Sequence, residues 1–173
     1  GIKVKVNAVL MRHFNRNELD SFLNWIKDTP VTLRFIELMQ TGDNKIFFDQ
    51  NHTSGLPIKE RLLDNGWTQI TQNKSAGPAQ EFTHSDYKGN IGLIMPYSKD
   101  FCATCNRLRI SAVGKLHLCL FSEHGLDIRQ FLLDNTEQRL QEELVSLLAD
   151  KKSTHLLHDG YTGATKHLAM LGG

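Results

Sequence analysis

The sequence predicts a mixed α/β chain, and three observations carry that prediction. Residues 1–40 read as strand, helix, strand. The remainder does not continue that alternation; it runs through short strands, tight turns and a few helices. All three cysteines fall within one short stretch, 101–121, that reads as a hairpin.

Gly1–Ala8 has the two-residue period of a strand, with Ile2, Val4, Val6 and Ala8 alternating with Lys3, Lys5 and Asn7. A helix is expected from about Arg16 to Lys27, with Leu19, Phe22, Leu23, Trp25 and Ile26 on one stripe and Asn15 or Asn17 as its cap. Asp28-Thr-Pro30 ends it, and Val31–Met39 is the second strand. Such a unit implies a parallel pair. Two strands and one helix do not cover both faces of a sheet, so the opening reads as the tail end of a larger α/β domain. A small α+β domain that begins this way is the alternative.

The Lys3, Lys5 and Asn7 face has two readings. In a barrel-like parallel sheet it points into a polar interior where ligands bind, and Arg34, inside an otherwise apolar strand, fits the same picture. On an edge strand the lysines are solvated and guard against aggregation. The residues alone leave both open.

Thr41–Gly55 is rich in Gly, Asn and Asp and is expected to be a loop. Pro57–Asn65 reads as a short helix stopped by Gly66, followed by a strand over Trp67–Thr71 and a loop over Gln72–Pro78. Ala79–Ser85 and Gly89–Pro96 read as a hairpin around Asp86–Lys88. Two helices are expected near the end, Asp127–Asn135 and Gln138–Lys151, the second packing a Leu140, Leu144, Leu147, Leu148 stripe on the core. Asp159–Gly163 is expected to be a loop, and the spacing of His155, His158 and His167 suggests no metal site.

Composition narrows the function. Lys and Arg number 20 against 19 Asp and Glu, a net charge of +1, so a bulk electrostatic case for nucleic acid or an anionic membrane fails. The apolar runs are too short to span a bilayer. No GxGxxG or GxxxxGK[ST] loop is present. Asn51-His52-Thr53 and Asn73-Lys74-Ser75 match the glycosylation triplet, which carries no meaning without secretion. An odd number of cysteines argues against a disulfide framework and for reduced thiols or a metal centre.

The block FCATCNRLRISAVGKLHLCLF holds that centre. Cys102 and Cys105 are separated by two residues, and Cys119 follows after thirteen more. Gly114 suits the left-handed position of a three-residue hairpin loop. That register sets Arg109 opposite His117 and Arg107 opposite Cys119, with both arginines on the cysteine's face. A two-residue loop would turn the arginines to the other face. Zinc would take His117 or His124 as a fourth ligand. A 4Fe–4S cluster on three thiols keeps one iron open. A redox pair with an unrelated thiol is the third option. Arg107 and Arg109, one pleat apart, form a fork suited to a polyphosphate or a carboxylate, unless Glu123 or Asp127 takes them.

This block, with VKVNAVL at 4–10, RFIELM at 34–39 and the terminal Gly172-Gly173, resembles the GTP 3′,8-cyclase family of radical S-adenosylmethionine enzymes, which open the molybdopterin pathway. The resemblance covers essentially the whole chain and corresponds to the C-terminal half of the family's proteins. It implies that residues 1–40 are the last βαβ piece of an incomplete TIM-like barrel. Residues 41–173 would be a C-terminal α+β domain that covers the barrel mouth and binds a cluster and GTP. It implies a 4Fe–4S cluster on Cys102, Cys105 and Cys119, its open iron receiving the purine of GTP. Lys5, Arg34, Arg107 and Arg109 match the family's triphosphate-binding positions, and Leu108 lies in the same segment. Met39 matches a position that contacts S-adenosylmethionine, and Asn7 lies beside the same pocket. The double glycine would reach into the active site of the whole enzyme and is expected to be disordered here.

The family's N-terminal Cys-x-x-x-Cys-x-x-Cys motif, which holds a second 4Fe–4S cluster, is absent; no cysteine precedes Cys102. The chain is therefore expected to contain no catalytic residue of its own and to be an inactive part of a lyase when alone. Expected partners are GTP, the missing N-terminal half and, by family tendency, a second copy, in the cytoplasm, with no nucleic acid and no membrane. Two other readings stand beside this one. One is a non-enzymatic zinc-binding interaction module presenting Arg107 and Arg109. The other is the C-terminal domain of a different radical enzyme.

Overall fold

The computed structural model describes residues 1–71, 77–99, 101–103, 105–133, 137–152 and 154–171. The triplet Asn73-Lys74-Ser75, Gly172-Gly173 and most of the loop expected at 72–78 lie outside them. The chain forms two compact units, Gly1–Met39 with Ile46–Thr104, and Gln40–Lys45 with Cys105–Gly173.

In the first unit β1 (Val4–Leu10), α1 (Leu19–Asp28) and β2 (Val31–Glu37) are the expected strand–helix–strand. They are followed by α2 (Lys45–Asn51), α3 (Leu56–Asp64), β3 (Thr68–Gln69), β4 (Gln80–Thr83) and β5 (Asn90–Ile94). The five strands make a mixed sheet in the order β1-β2-β5-β4-β3. β1, β2 and β5 run parallel, and β4 pairs antiparallel with β5 in the expected hairpin. Because β4 and β5 extend the same sheet, the chain beyond residue 40 contributes to this unit as well as to the second.

The two sheet faces differ in chemistry. Leu33 and Phe35 of β2, Ile91 and Leu93 of β5 and Phe82 of β4 form the core with Leu19 and Ile26 of α1, Ile58 and Leu62 of α3, and Trp67. Phe22 sets its ring edge-on to Phe35, centroids 5.2 Å apart. The parallel register pairs Lys5 with Thr32, Asn7 with Arg34, and Arg34 with Gly92, so these residues share the opposite, polar face. Edge position and polar face thus coexist in β1.

A buried carboxylate closes one end of this sheet. Glu37, only 3% exposed, ends β2. Its Oε1 accepts the Gly55 N–H at 2.8 Å and the Ser54 hydroxyl at 3.2 Å, where the chain enters α3. A buried charge is tolerated only with such donors around it.

Several elements differ from expectation. A helix, α2, occupies 45–51 inside the expected loop. The polar run before it folds on itself, Thr41 N–H donating to Asn44 Oδ1 at 2.8 Å and Thr41 Oγ1 to Asp43 Oδ1 at 2.8 Å. The loop composition is thus local to 41–44, and the apolar triplet Ile46-Phe47-Phe48 belongs to a helix. Neither Asn15 nor Asn17 caps α1; Glu18 stands at that position without a side-chain bond. Asn15 instead closes the preceding turn, accepting Met11 N–H at 2.9 Å and donating to Val9 O at 2.8 Å. The strand expected over Trp67–Thr71 is only Thr68–Gln69, because Trp67 is drawn into the core.

In the second unit β6 (Arg109–Ile110), β7 (Lys115–His117) and β8 (Leu126–Asp127) make an antiparallel sheet in that order. α4 (Arg129–Leu133), α5 (Glu137–Leu148) and 3₁₀ turns at Leu157–Asp159 and Leu168–Leu171 follow. The helix expected from Asp127 starts later, because Asp127 pairs with Lys115 in the sheet and its carboxylate accepts the Arg129 N–H at 3.0 Å. α5 buries none of its residues fully; Leu140, Leu144 and Leu147 are half-buried and Leu148 and Val145 are exposed, so the expected stripe is only partly covered. Leu116, Phe121, Ile128 and Leu157 are its buried apolar residues. Among the described residues no helix is long and apolar enough to cross a membrane.

Two predictions follow from the first unit. Glu37→Ala leaves the Gly55 N–H and Ser54 hydroxyl without their acceptor and costs about 2–3 kcal/mol in urea unfolding. A loss below a few tenths would remove the carboxylate from this role. His52 stacks against Phe48 and Tyr97, and burial, then Arg12, hold its imidazole below the usual 6.5, against the opposing pull of Glu37. A base with a lowered folded pKa stabilises fully above 6.5 and loses that contribution as the pH falls below it. The unfolding midpoint should therefore drop more between pH 7.5 and 5.5 in the natural chain than in His52→Phe; equal drops would contradict this.

Candidate functional site

The cysteine and arginine block forms a hairpin in the three-residue register. Arg109 pairs with His117 and Ile110 with Leu116. Gly114 takes φ +70 and donates its N–H to Ser111 O at 3.0 Å, while Ser111 and Lys115 close the turn at 2.9 Å. A Cβ at Gly114 would lie 2.4 Å from Arg129 Cγ, so glycine is required by conformation and by space. Arg129 is held there by a fork onto Asp127, whose carboxyl it lowers to about 2, and Ile128 N–H donates to Gly114 O at 3.1 Å. The turn is thereby fastened to the start of α4.

On the incoming arm burial alternates. Cys105, Arg107 and Arg109 are half-buried, and Asn106, Leu108 and Ile110 are exposed. This alternation is what a strand-like segment would show with the thiol and the two guanidinium groups on one side. The ladder stops at Arg109 and His117. Beyond it Lys151 Nζ donates to Arg107 O at 3.2 Å and to Leu118 O, one carbonyl from each arm. The field here is positive: burial, then Lys115 and Arg109, push the His117 imidazole below its usual value. The two carboxylates offered as rival partners are engaged elsewhere, Glu123 accepting the Tyr161 hydroxyl and Asp127 holding Arg129.

The three thiols are half-buried and unbonded to one another. Cys102 belongs to the first unit, Cys105 and Cys119 to the second. Among the described residues no three Cys, His, Asp or Glu side chains gather closely enough to hold a metal ion. The donor set nonetheless has the right chemistry for a cluster: free thiols, with Cys119 Sγ accepting the Phe121 N–H at 3.4 Å. Cys119 also lines a cavity of about 240 Å³ with Leu118, Phe121, Ser122, His155 and Tyr161.

The other expected residues lie on the first unit. Lys5 and Arg34 stand on the polar sheet face, Arg34 Nε donating to Asn7 Oδ1 at 2.9 Å. Gly92 makes room for Arg34, since a Cβ there would meet Arg34 Cγ at 2.7 Å. Lys5 pairs with Glu81 Oε1 at 2.6 Å. Met39 is half-buried just past β2. Sequence reasoning did not single out Glu81, Gly92 or Lys151. Glu81 and Gly92 declare themselves only once the β2–β5–β4 register is known. Lys151 carries no local pattern, its partners lying 44 and 33 residues away.

The family described as Molybdenum Cofactor Synthesis C matches residues 31–157. The chain is 57% identical over 172 residues to a GTP 3′,8-cyclase of Vibrio parahaemolyticus serotype O3:K6, covering 99% of this chain and 52% of the relative. It is 55% identical over 172 residues to a GTP 3′,8-cyclase of Tolumonas auensis, covering 99% of this chain and 51% of the relative. The chain thus spans about half the length of the curated relatives it matches.

Gly114→Ala tests the turn. Forcing a Cβ onto a left-handed residue costs about 1–2 kcal/mol, and the Arg129 contact adds to it. Adding Arg129→Ala should recover the steric part alone in denaturant unfolding; no loss in the single variant would refute the assignment.

Proposed function

The chain belongs to the Molybdenum Cofactor Synthesis C family, and on that premise we propose that it is the C-terminal, GTP- and cluster-binding part of a GTP 3′,8-cyclase. The whole enzyme, acting in the cytoplasm, would convert GTP to (8S)-3′,8-cyclo-7,8-dihydroguanosine 5′-triphosphate by radical chemistry drawn from S-adenosylmethionine, in molybdenum cofactor biosynthesis. Residues 1–40 would supply the last strands of its barrel, and the chain beyond them, apart from the β3–β5 strands that extend the same sheet, the domain over the barrel mouth. The other half of the relatives' length and a second copy would be its protein partners.

The hairpin supports the reading: Arg109 pairs with His117 in the three-residue register, and Cys105, Arg107 and Arg109 alternate as half-buried residues with exposed neighbours. Cys102, Cys105 and Cys119 would hold a 4Fe–4S cluster, which when bound supplies an open iron site for the purine. Arg107 and Arg109 would grip the triphosphate as a fork, with the Leu108 backbone between them. Lys5 and Arg34 would add two cations, Arg34 steadied by Asn7 and by the space above Gly92. Fixed cations of this kind orient a charged substrate before any chemistry begins. Met39 would touch S-adenosylmethionine. With no cysteine before Cys102, the chain's own thiols serve one cluster, so cleavage of S-adenosylmethionine by the chain alone is not expected.

The test is anaerobic reconstitution with iron and sulfide, followed by metal analysis and EPR of the reduced protein. About four irons per chain are expected, with a signal that GTP perturbs and ATP does not. Arg107→Ala and Arg109→Ala should each weaken GTP binding about tenfold or more. One tightly held zinc, no cluster and no response to GTP would overturn the reading in favour of a zinc module.

A further inference from the structure

We propose that Lys151 is a positioning residue for the two arms of the hairpin, acting through Arg107 and the residue that leads into Cys119. The inference rests on the reading of Arg107 as a triphosphate ligand. Lys151 lies three residues past the end of α5. The last turns there are tight, with Ala149, Asp150 and Lys151 N–H groups donating to Ser146, Leu147 and Leu148 carbonyls at 3.1, 3.2 and 3.1 Å. The root of the Lys151 side chain is therefore fixed. Its ammonium reaches Arg107 O at 3.2 Å and Leu118 O, thirty-three residues away in sequence.

These two carbonyls lie on opposite arms, just past the last ladder pair, Arg109 and His117. Ladder bonds no longer set the spacing of the arms at this point, and the ammonium takes over that task. Bonds from a charged donor are stronger than amide ladder bonds, so one residue suffices. Neighbouring residues Asp150 and Lys152 line the same cavity as Leu118 and Cys119, which places the α5 end beside the returning arm.

The charge matters as well as the bonds. Among the described residues no carboxylate forms an ion pair with Lys151 or with Arg109. An ammonium at this place adds positive charge to a hairpin that also carries Arg107 and Arg109, and that charge favours a bound anion. A neutral donor at the same place would hold the spacing but not supply this bias.

The experiment compares GTP binding, by equilibrium dialysis, in the anaerobically reconstituted protein and in K151M, K151R, R107A and K151M/R107A. K151M should weaken binding about tenfold and K151R by no more than about twofold. The double variant should bind no more weakly than R107A, because Lys151 acts through Arg107. Should K151M fail to fold, K151Q carries the same comparison, with a loss smaller than tenfold but measurable. Natural affinity in K151M or K151Q while R107A is weakened overturns this inference and leaves the proposed function intact. Losses that multiply in the double variant reduce Lys151 to a stability role and likewise overturn it. Natural affinity in R107A overturns the functional reading and this inference together.

Discussion

The left-handed turn at Gly114 is the constraint on which the hairpin depends. A strand has a period of two, so one residue more or fewer in the loop exchanges its faces. With three residues in the loop, Arg109 lies beside His117, and Cys105 and Arg107 share its half-buried alternation. With two, the same sequence would present Asn106, Leu108 and Ile110 there. The surroundings hold the turn in place: Arg129 lies where a Cβ would be, and Asp127 holds Arg129. A single backbone conformation thereby decides which chemistry the hairpin shows.

The first unit separates two tasks between two faces of one sheet. Its apolar face is committed to α1, α3 and Trp67. That commitment fixes the register of β2 and β5 and so forces Asn7, Arg34 and Gly92 into line on the other side. Polar residues there need no packing partners of their own to be ordered; the core orders the strands, and the strands order them. Glu37 performs the corresponding service at the strand ends, where a carboxylate in place of a ladder bond joins β2 to the entrance of α3.

Much of this was legible in the sequence where a pattern is local. The opening strand–helix–strand, the 80–94 hairpin and the Gly114 register each rest on neighbours a few residues apart. α2 escaped because Gly42, Asp43 and Asn44 dominate a window that also contains Ile46-Phe47-Phe48; composition averaged over the window hides a seven-residue helix. β8 escaped because Asp127 serves both as a sheet partner and as the residue that receives the first N–H of α4. Of the site, cysteine spacing and arginine alternation are local and could be read. Glu81, Gly92 and Lys151 act across the fold, and no short-range signal announces them.

The Lys5 and Glu81 pair has a further meaning. The two residues stand on β1 and β4, with β2 and β5 between them and a two-residue offset along the strands, about 16 Å apart if the sheet were flat. Extended Lys and Glu side chains joined by a 2.6 Å contact reach only roughly 12 Å, and only if both lie down along the sheet. The polar face must therefore be dished, with the ion pair strung across the hollow like a bar. An incoming anion finds Lys5 already satisfied and has to compete with a resident carboxylate. A resident carboxylate thus holds the Lys5 ammonium in place across the hollow and answers part of its charge.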